Sequence, residues 1–415
     1  MTMQASWRPV LFAAMAAVFL ASPWDRAGAQ QPGSTARISD GVVKIGLILD
    51  MSGPYSDTTG IGSATAAKMA VEDFGGRVLG APIEIVVADH DNSADRAAAI
   101  ARDWFANQHV DAIMDVTGSS EALIVQAIAG TRQKIISLSS AVAERLSNEA
   151  CTPTSIHYAF DTHAIANTMG TALVARGDDS WFFITVDYTF GYDLERDTTQ
   201  VVEQHGGKVY GHARHPLDAH DFASYLARAR DSRAKVIGLA NGGTDLADTI
   251  KQAARLGMIP GPQVFAGLGM RTNGVHSLGL ETTQGMMLAE SFYWDMNEAT
   301  RAWSKRFFDR VKKMPNSLQA AVYSSTMHYL QAVAHAGTDE TAAVMKMMRD
   351  TPVDDFFAHG NIRADGVLVH DMHLFQVKSP AESHYPWDYY KLVATVPGDQ
   401  AFAPLAQSKC PLVKR

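Results

Sequence analysis

The chain has 415 residues, 47% hydrophobic and 19% charged, with a net charge of −8. That is enough apolar material for two domains or one large one. The acidic balance, with Lys and Arg scattered rather than clustered, excludes nucleic acid as the main partner.

Arg8 is followed by the apolar run "PVLFAAMAAVFLA", Pro9 to Ala21, and then by "SPWDRAGAQ", where Ala27 and Ala29 frame an A-x-A site. A basic start, a short apolar core and small residues at a cleavage site predict a secretory signal peptide over residues 1–29. The run is short for a bilayer span, so a retained anchor is the weaker alternative. Residues 30–41 are polar, with Gly and Pro, and read as a flexible leader. No later run is long and apolar enough for a membrane helix, which leaves a soluble exported protein with no stable membrane insertion. Two cysteines, Cys151 and Cys410, then suggest one disulfide between a mid-chain loop and the C-terminus; two free buried thiols are the alternative.

From Val42 a rhythm begins. "VVKIGLIL" is an apolar run of strand length, and Ala67, Ala70, Val71 and Phe74 mark a helix at i, i+3, i+4 and i+7, stopped by Gly75–Gly76. "IEIVVAD" is a strand, Ser93 an N-cap, and Ala97, Ile100, Ala101, Trp104 and Phe105 a helical stripe. "AIMDV", a helix over residues 120–130 and "KIISL" follow. The series restarts with a helix over 164–176, "SWFFIT", a helix over 188–204, "KVYGH", a helix over 222–230, "KVIGLA", a helix over 246–256 and "QVFAG". Two long helices, near 299–312 and 318–336, and the strands "HLFQVK" and "YYKLVATV" complete the chain. Strands apolar on both faces, alternating with amphipathic helices, mean parallel sheets covered on both sides. The fold class expected is α/β with two Rossmann-like lobes.

Chemical motifs are tested next. The loop "DMSGPYSDTTGIGS", Asp50 to Ser63, lacks the Lys of a phosphate-binding P-loop and the third Gly of a dinucleotide fingerprint. There is no G-x-S-x-G elbow and no H-E-x-x-H zinc motif, and "ADHDN" reads as a turn and helix cap rather than a metal site. No cofactor or metal is called for. What recurs is small hydroxyl and Gly residues at strand ends: "TGSS" (117–120), "SSAV" (139–142), "VDYTFG" (186–191), "NGGTD" (241–245) and "GLGM" (267–270). In open α/β sheets ligands sit beyond the carboxyl ends of the strands, where helix N-termini favour an anion. Tyr55, Tyr188, Phe190, Tyr293 and Trp294 interleave with these ends.

The stretches "IGLILDMSGPYSDTTGIGSATAAKMAVEDFGG", "DAIMDVTGSSEA", "IISLSSA", "VDYTFGYDL" and "AHGNIRADG" make the chain resemble the type I periplasmic solute-binding proteins, in particular the branched-chain amino-acid (Leu/Ile/Val) receptors of ABC importers. The resemblance covers nearly the whole chain after the leader. It implies two lobes joined by three crossovers and closing on a ligand, with Tyr55 and its loop, Ser119, Ser139 to Ala141, Tyr188 and Phe190 in the cleft. The lobes expected are 42–160 plus 290–360 and 161–289 plus 361–415, hinged near Phe160–Asp161, Met286–Ala289 and Asn361–Asp365. One departure stands out. Amino-acid receptors of the family hold the ligand ammonium with an acid in a G-x-E turn, and here the turn is Gly267-Leu268-Gly269-Met270. Asp187 or Asp245 would have to substitute.

The site expected is therefore Tyr55, Ser119, Ser120, Ser139, Ser140, Ala141, Asp187, Tyr188, Phe190, Asn241, Gly267 and Tyr293. The function expected is a monomeric periplasmic receptor, not an enzyme, which delivers a small organic acid to ABC permease subunits. An aromatic acid is favoured; an amino-acid or amide receptor is the alternative. An exported enzyme using Ser119 or Ser139, or a sensor domain, is the rival of another class.

Overall fold

In a computed structural model the structure describes residues 38–414. The expected signal peptide and the leader as far as residue 37 lie outside the described residues. The first sheet runs, edge to edge, Arg77–Val78, Ala81–Asp89, Val43–Leu49, Ala112–Val116, Ile135–Leu138 and Ser155–His157. Its strands are parallel except for the Arg77–Val78 edge, which is a hairpin with the strand after it. The central strands are buried from end to end, as an apolar run under helices on both faces requires. The second sheet runs Tyr390–Val396, Met372–Val377, Met287–Glu290, Val264–Gly267, Val236–Ala240, Ser180–Val186 and Lys208–His215. The sheet is mostly parallel, as expected, with Met372–Val377 and Tyr390–Val396 added antiparallel at one edge. They arrive late, joined by a loop rather than a crossover helix, and a loop can only return a strand antiparallel or add it at an edge.

The caps explain why the helices start where they do. Ser93 accepts the Arg96 amide, as expected, and Asp161 accepts the Ala164 amide at 2.7 Å to open the helix Thr162–Ala175. Asn297 and Asn316 form capping boxes at Glu298–Val311 and Ser317–Ala336. The second of these helices is buried over most of its length and packs along Gly60–Phe74. A further helix, Thr341–Asp350, went unread in the sequence. Its apolar residues Val344, Met345 and Met348 cover only a narrow stripe.

The passages between sheets fall at residues 158–161, 291–297 and 370–371. The hinges read from the sequence lie near Phe160–Asp161, Met286–Ala289 and Asn361–Asp365. Met287–Glu290 is a paired strand, so the chain leaves the second sheet only after it. His359–Ile362 pairs within a small three-stranded sheet, and Val367 bridges His157 at the edge of the first sheet, so Asn361–Asp365 is not yet a passage. A run of apolar residues shows a strand but not which sheet receives it. The tail then makes a fourth passage: Arg363 donates to the Ala403 carbonyl at 2.7 Å, and Cys410 is bonded to Cys151 across 259 positions.

Candidate functional site

The loop Asp50–Ser63 is organised by one buried carboxylate. Asp50 accepts the Gly53 amide at 2.5 Å, the Tyr55 amide at 2.8 Å and the Asn92 side-chain amide at 3.0 Å. Asp side chains commonly hold a turn by capturing amides a few residues on. This capture lifts Tyr55 off the end of Val43–Leu49 and sets Thr58 and Thr59 just ahead of the helix Gly60–Phe74. Asp89, from the "ADHDN" stretch, accepts the Met51 and Asp91 amides and the Ser52 hydroxyl, so it braces the same loop.

Beyond Ala112–Val116, Thr117 and Gly118 lead into the helix Ser119–Thr131. A Cβ on Gly118 would lie 2.3 Å from a carboxylate oxygen of Glu121, and its φ of +84° is left-handed, so only glycine fits. Ser119 accepts the Ala143 amide at 3.3 Å, which leaves its own hydrogen free to donate. Ser140 is different. Its amide, its hydroxyl and the Ser139 amide all donate to the fully buried Asp115. Asp115 thus already takes both amides and the Ser140 hydroxyl, and of these donors only the Ser139 hydroxyl is left without a partner among the described residues.

From the second sheet come Tyr188 and Phe190 after Ser180–Val186, Gly242 and Gly243 after Val236–Ala240, and Gly269 and Arg271 after Val264–Gly267. The two sheets' loops touch. The Tyr188 hydroxyl donates to the Tyr55 hydroxyl at 2.8 Å, the Thr244 amide to the Pro54 carbonyl at 3.1 Å, and the Ser120 hydroxyl to that of Thr189 at 3.0 Å. Burial raises both tyrosines above their ordinary pKa, so both stay protonated at neutral pH.

Between these loops lies a small cavity that opens to solvent. Of the expected site residues it is lined by Tyr55, Ser119, Ser140, Tyr188 and Phe190; Thr58, Thr59, Thr117 and Arg271 add polar groups and Val142 and Leu318 apolar ones. The rest of the expected set stands elsewhere. Ser120 bridges to Thr189, and Ala141 is packed in the core. Asn241 is held by His215 and Thr249, one residue short of the wall that Gly242 forms. A Cβ on Gly267 would meet Met270, two residues short of Gly269. Asp187 accepts the Tyr192 hydroxyl. Tyr293 donates to the Trp387 carbonyl at 2.6 Å inside an aromatic cluster with Phe375 and Tyr390.

Arg271 is the residue that the sequence reading missed, since one Arg after a Gly-rich turn carries no signal. It is 5% exposed, lies 5.0 Å over the Phe160 ring and donates through Nη1 to the Met270 carbonyl. Its Nε is 3.8 Å from the buried Glu290, whose carboxyl burial pushes up to about 7 against the pull of Arg271. Among the described residues no carboxylate lines the cavity. Asp245, the other acid considered for an ammonium, accepts the Asp218 amide and sits 3.8 Å from His215.

A family model described as periplasmic binding protein matches residues 42–382. This chain is a periplasmic binding protein. A periplasmic binding protein from Burkholderia mallei is 49% identical to it, with a TM-score of 0.88 over 90% of this chain and 99% of that one. A branched chain amino acid ABC transporter periplasmic ligand-binding protein from Burkholderia xenovorans LB400 is 36% identical, with a TM-score of 0.81 over 90% and 100%. A solute binding protein of an ABC transporter from Rhodopseudomonas palustris BisB5, in complex with 3,4-dihydroxy benzoic acid, shares the fold at 18% identity and a TM-score of 0.80 over 90% and 99%. A search of curated proteins found no match. The binding protein thus belongs to the type I receptors of the branched-chain amino-acid ABC transporter family, which bind small molecules and work with permeases. No helix among its described residues is long and apolar enough to cross a membrane.

Asp115 supplies a test of the cavity's wall. Burial pushes its carboxyl up to about 6 although three donors from Ser139 and Ser140 oppose the rise. The folded state therefore holds this proton more tightly than the unfolded chain. Asp115 contributes stability below its unfolded pKa that is lost as pH rises from about 4 to about 6, at most about 3 kcal/mol. In Asp115→Asn the stability difference between pH 4 and pH 7, measured by urea unfolding, should shift by that contribution. An unchanged difference would mean that Asp115 titrates as it does in the unfolded chain.

Proposed function

We propose that this binding protein is exported by the signal peptide read at residues 1–29 and acts as the monomeric receptor of an ABC importer. It captures a small organic acid, an aromatic acid ahead of an amino acid, and closes on it by hinging at residues 158–161, 291–297 and 370–371. The observation that carries this reading is the cavity lining, rich in hydroxyl donors, with one buried cation and no carboxylate. The acid group sits at the start of Ser119–Thr131, where the free Ser119 hydroxyl and the helix N-terminus both favour an anion. Tyr55, Tyr188 and Phe190 wall a ring. An amino acid would bring an ammonium, and a buried ion with no partner costs several kcal/mol. The Rhodopseudomonas palustris complex with 3,4-dihydroxy benzoic acid supports the same ligand class on the same fold.

The printed name of the Burkholderia xenovorans protein favours the second reading, an amino-acid receptor. An enzyme is disfavoured because Ser119 has the Ala143 amide as its partner and Ser140 has Asp115, neither of them a histidine. A thermal-shift panel tests the choice. Benzoate and hydroxybenzoates should raise the melting temperature by several degrees at millimolar concentration, as binding to the folded state alone requires. Leucine, isoleucine and valine should leave it unmoved. Stabilisation by the amino acids alone reverses the assignment.

A further inference from the structure

We infer that the ligand carries a second acceptor oxygen, a carboxylate or a hydroxyl, at the end remote from its first acid group, and that Arg271 holds it. This rests on the organic-acid reading above.

The cavity has donors on both sides. The first sheet supplies Ser119 and the helix it begins; the second sheet supplies Arg271. These groups come from loops of the two different sheets, and Tyr55, Tyr188 and Phe190 line the same cavity. A ligand with a single acid group satisfies one side only. A guanidinium has five N–H donors and no way to shed its charge. Arg271 uses one on the Met270 carbonyl; Nε has no hydrogen-bond partner and faces Glu290 at 3.8 Å, beyond hydrogen-bond reach; Nη2 has none among the described residues. A 95% buried guanidinium with donors to spare at a cavity wall is a binding group awaiting an acceptor. Glu290 makes its burial tolerable. One Glu290 oxygen accepts the Ser317 hydroxyl and the other has no partner. The other titratable groups beside Glu290 are Tyr390, held neutral by burial, and His373, opposite it in the sheet and lowered to about 4 by burial, so Glu290 is the counter-charge of Arg271.

The test is calorimetry on the stripped protein with benzoate, 4-hydroxybenzoate and terephthalate. A site built to hydrogen-bond a group rejects analogues that lack it, because the buried donors stay unpaired. Either or both of the two-headed acids should bind at least about tenfold tighter than benzoate. The hydroxyl and carboxylate arms show which kind of oxygen Arg271 takes. Arg271→Met should remove that advantage and change benzoate binding by less than about twofold. Because Arg271→Met strands Glu290, the double variant Arg271→Met/Glu290→Gln is measured beside it and should show the same loss of preference. The inference is overturned if benzoate binds as tightly as both two-headed acids, or if the variants weaken all three acids equally. If none of the three binds while leucine does, the organic-acid reading itself has failed.

Discussion

Gly243→Val is expected to weaken ligand binding at least about a hundredfold, measured by calorimetry. Gly243 sits in the left-handed region at φ +58°, and a Cβ there would lie 2.2 Å from the Pro54 carbonyl oxygen and 3.0 Å from the Tyr55 ring. Both neighbours belong to the loop that follows the first strand, so the added side chain wedges the two halves apart at the point where the Thr244 amide meets Pro54. Backbone atoms cannot step aside as a flexible side chain can, and a well-packed contact yields about a tenfold loss for each 1.4 kcal/mol of misfit. Valine at positive φ also costs about 1–3 kcal/mol of backbone strain. Gly257→Val separates the two effects: its φ is +68° and nothing lies within 4 Å of the added Cβ. That variant should lose comparable stability and bind as the parent does. If Gly243→Val binds normally, the contact between Pro54 and Gly243 is not part of the liganded state.

Replacing both cysteines by serine should cost about 2–5 kcal/mol of unfolding free energy, seen as a melting temperature several degrees lower. The bond joins residues 259 apart, so in the chain-entropy account it removes a large share of the unfolded chain's freedom. It also fastens the tail, which leaves the second sheet after Tyr390–Val396, back to the loop ahead of Ser155–His157 in the first. With the bond absent, only weaker contacts hold the tail, among them Arg363 with the Ala403 carbonyl. A melting temperature unchanged within a degree would show that those contacts suffice.

Much of the fold was legible. Buried strands such as Ala112–Val116 and Val236–Ala240 are unbroken apolar runs, and helices such as Ala94–Ala106 carry both stripe and cap, so local pattern and final environment agree. The late elements were less so. Met287–Glu290 offers three apolar or small positions before a buried acid, and nothing local says that it joins the second sheet beside an antiparallel partner. Within the site, Tyr55, Ser119, Ser140, Tyr188 and Phe190 follow from their place at strand ends. Asn241 and Gly267 lie one and two residues ahead of the cavity-lining Gly242 and Gly269, because strand ends can be read to within a residue or two and the wall of a cavity cannot.

The sequence by itself determined the α/β alternation, the lack of a phosphate-cradle motif in the loop after the first strand, and the absence of an acid from the "GLGM" turn. Those are properties of neighbours along the chain: periodicity, turn residues, caps. Only the tertiary structure decided which donors remain available. Asp115 takes the amides of Ser139 and Ser140 and the Ser140 hydroxyl, Tyr192 donates to Asp187, and Arg271, a residue of the cavity lining, is left with an unpaired Nε. Hydrogen bonding between groups far apart in sequence is settled by packing, and each donor given to the protein is one withdrawn from the ligand.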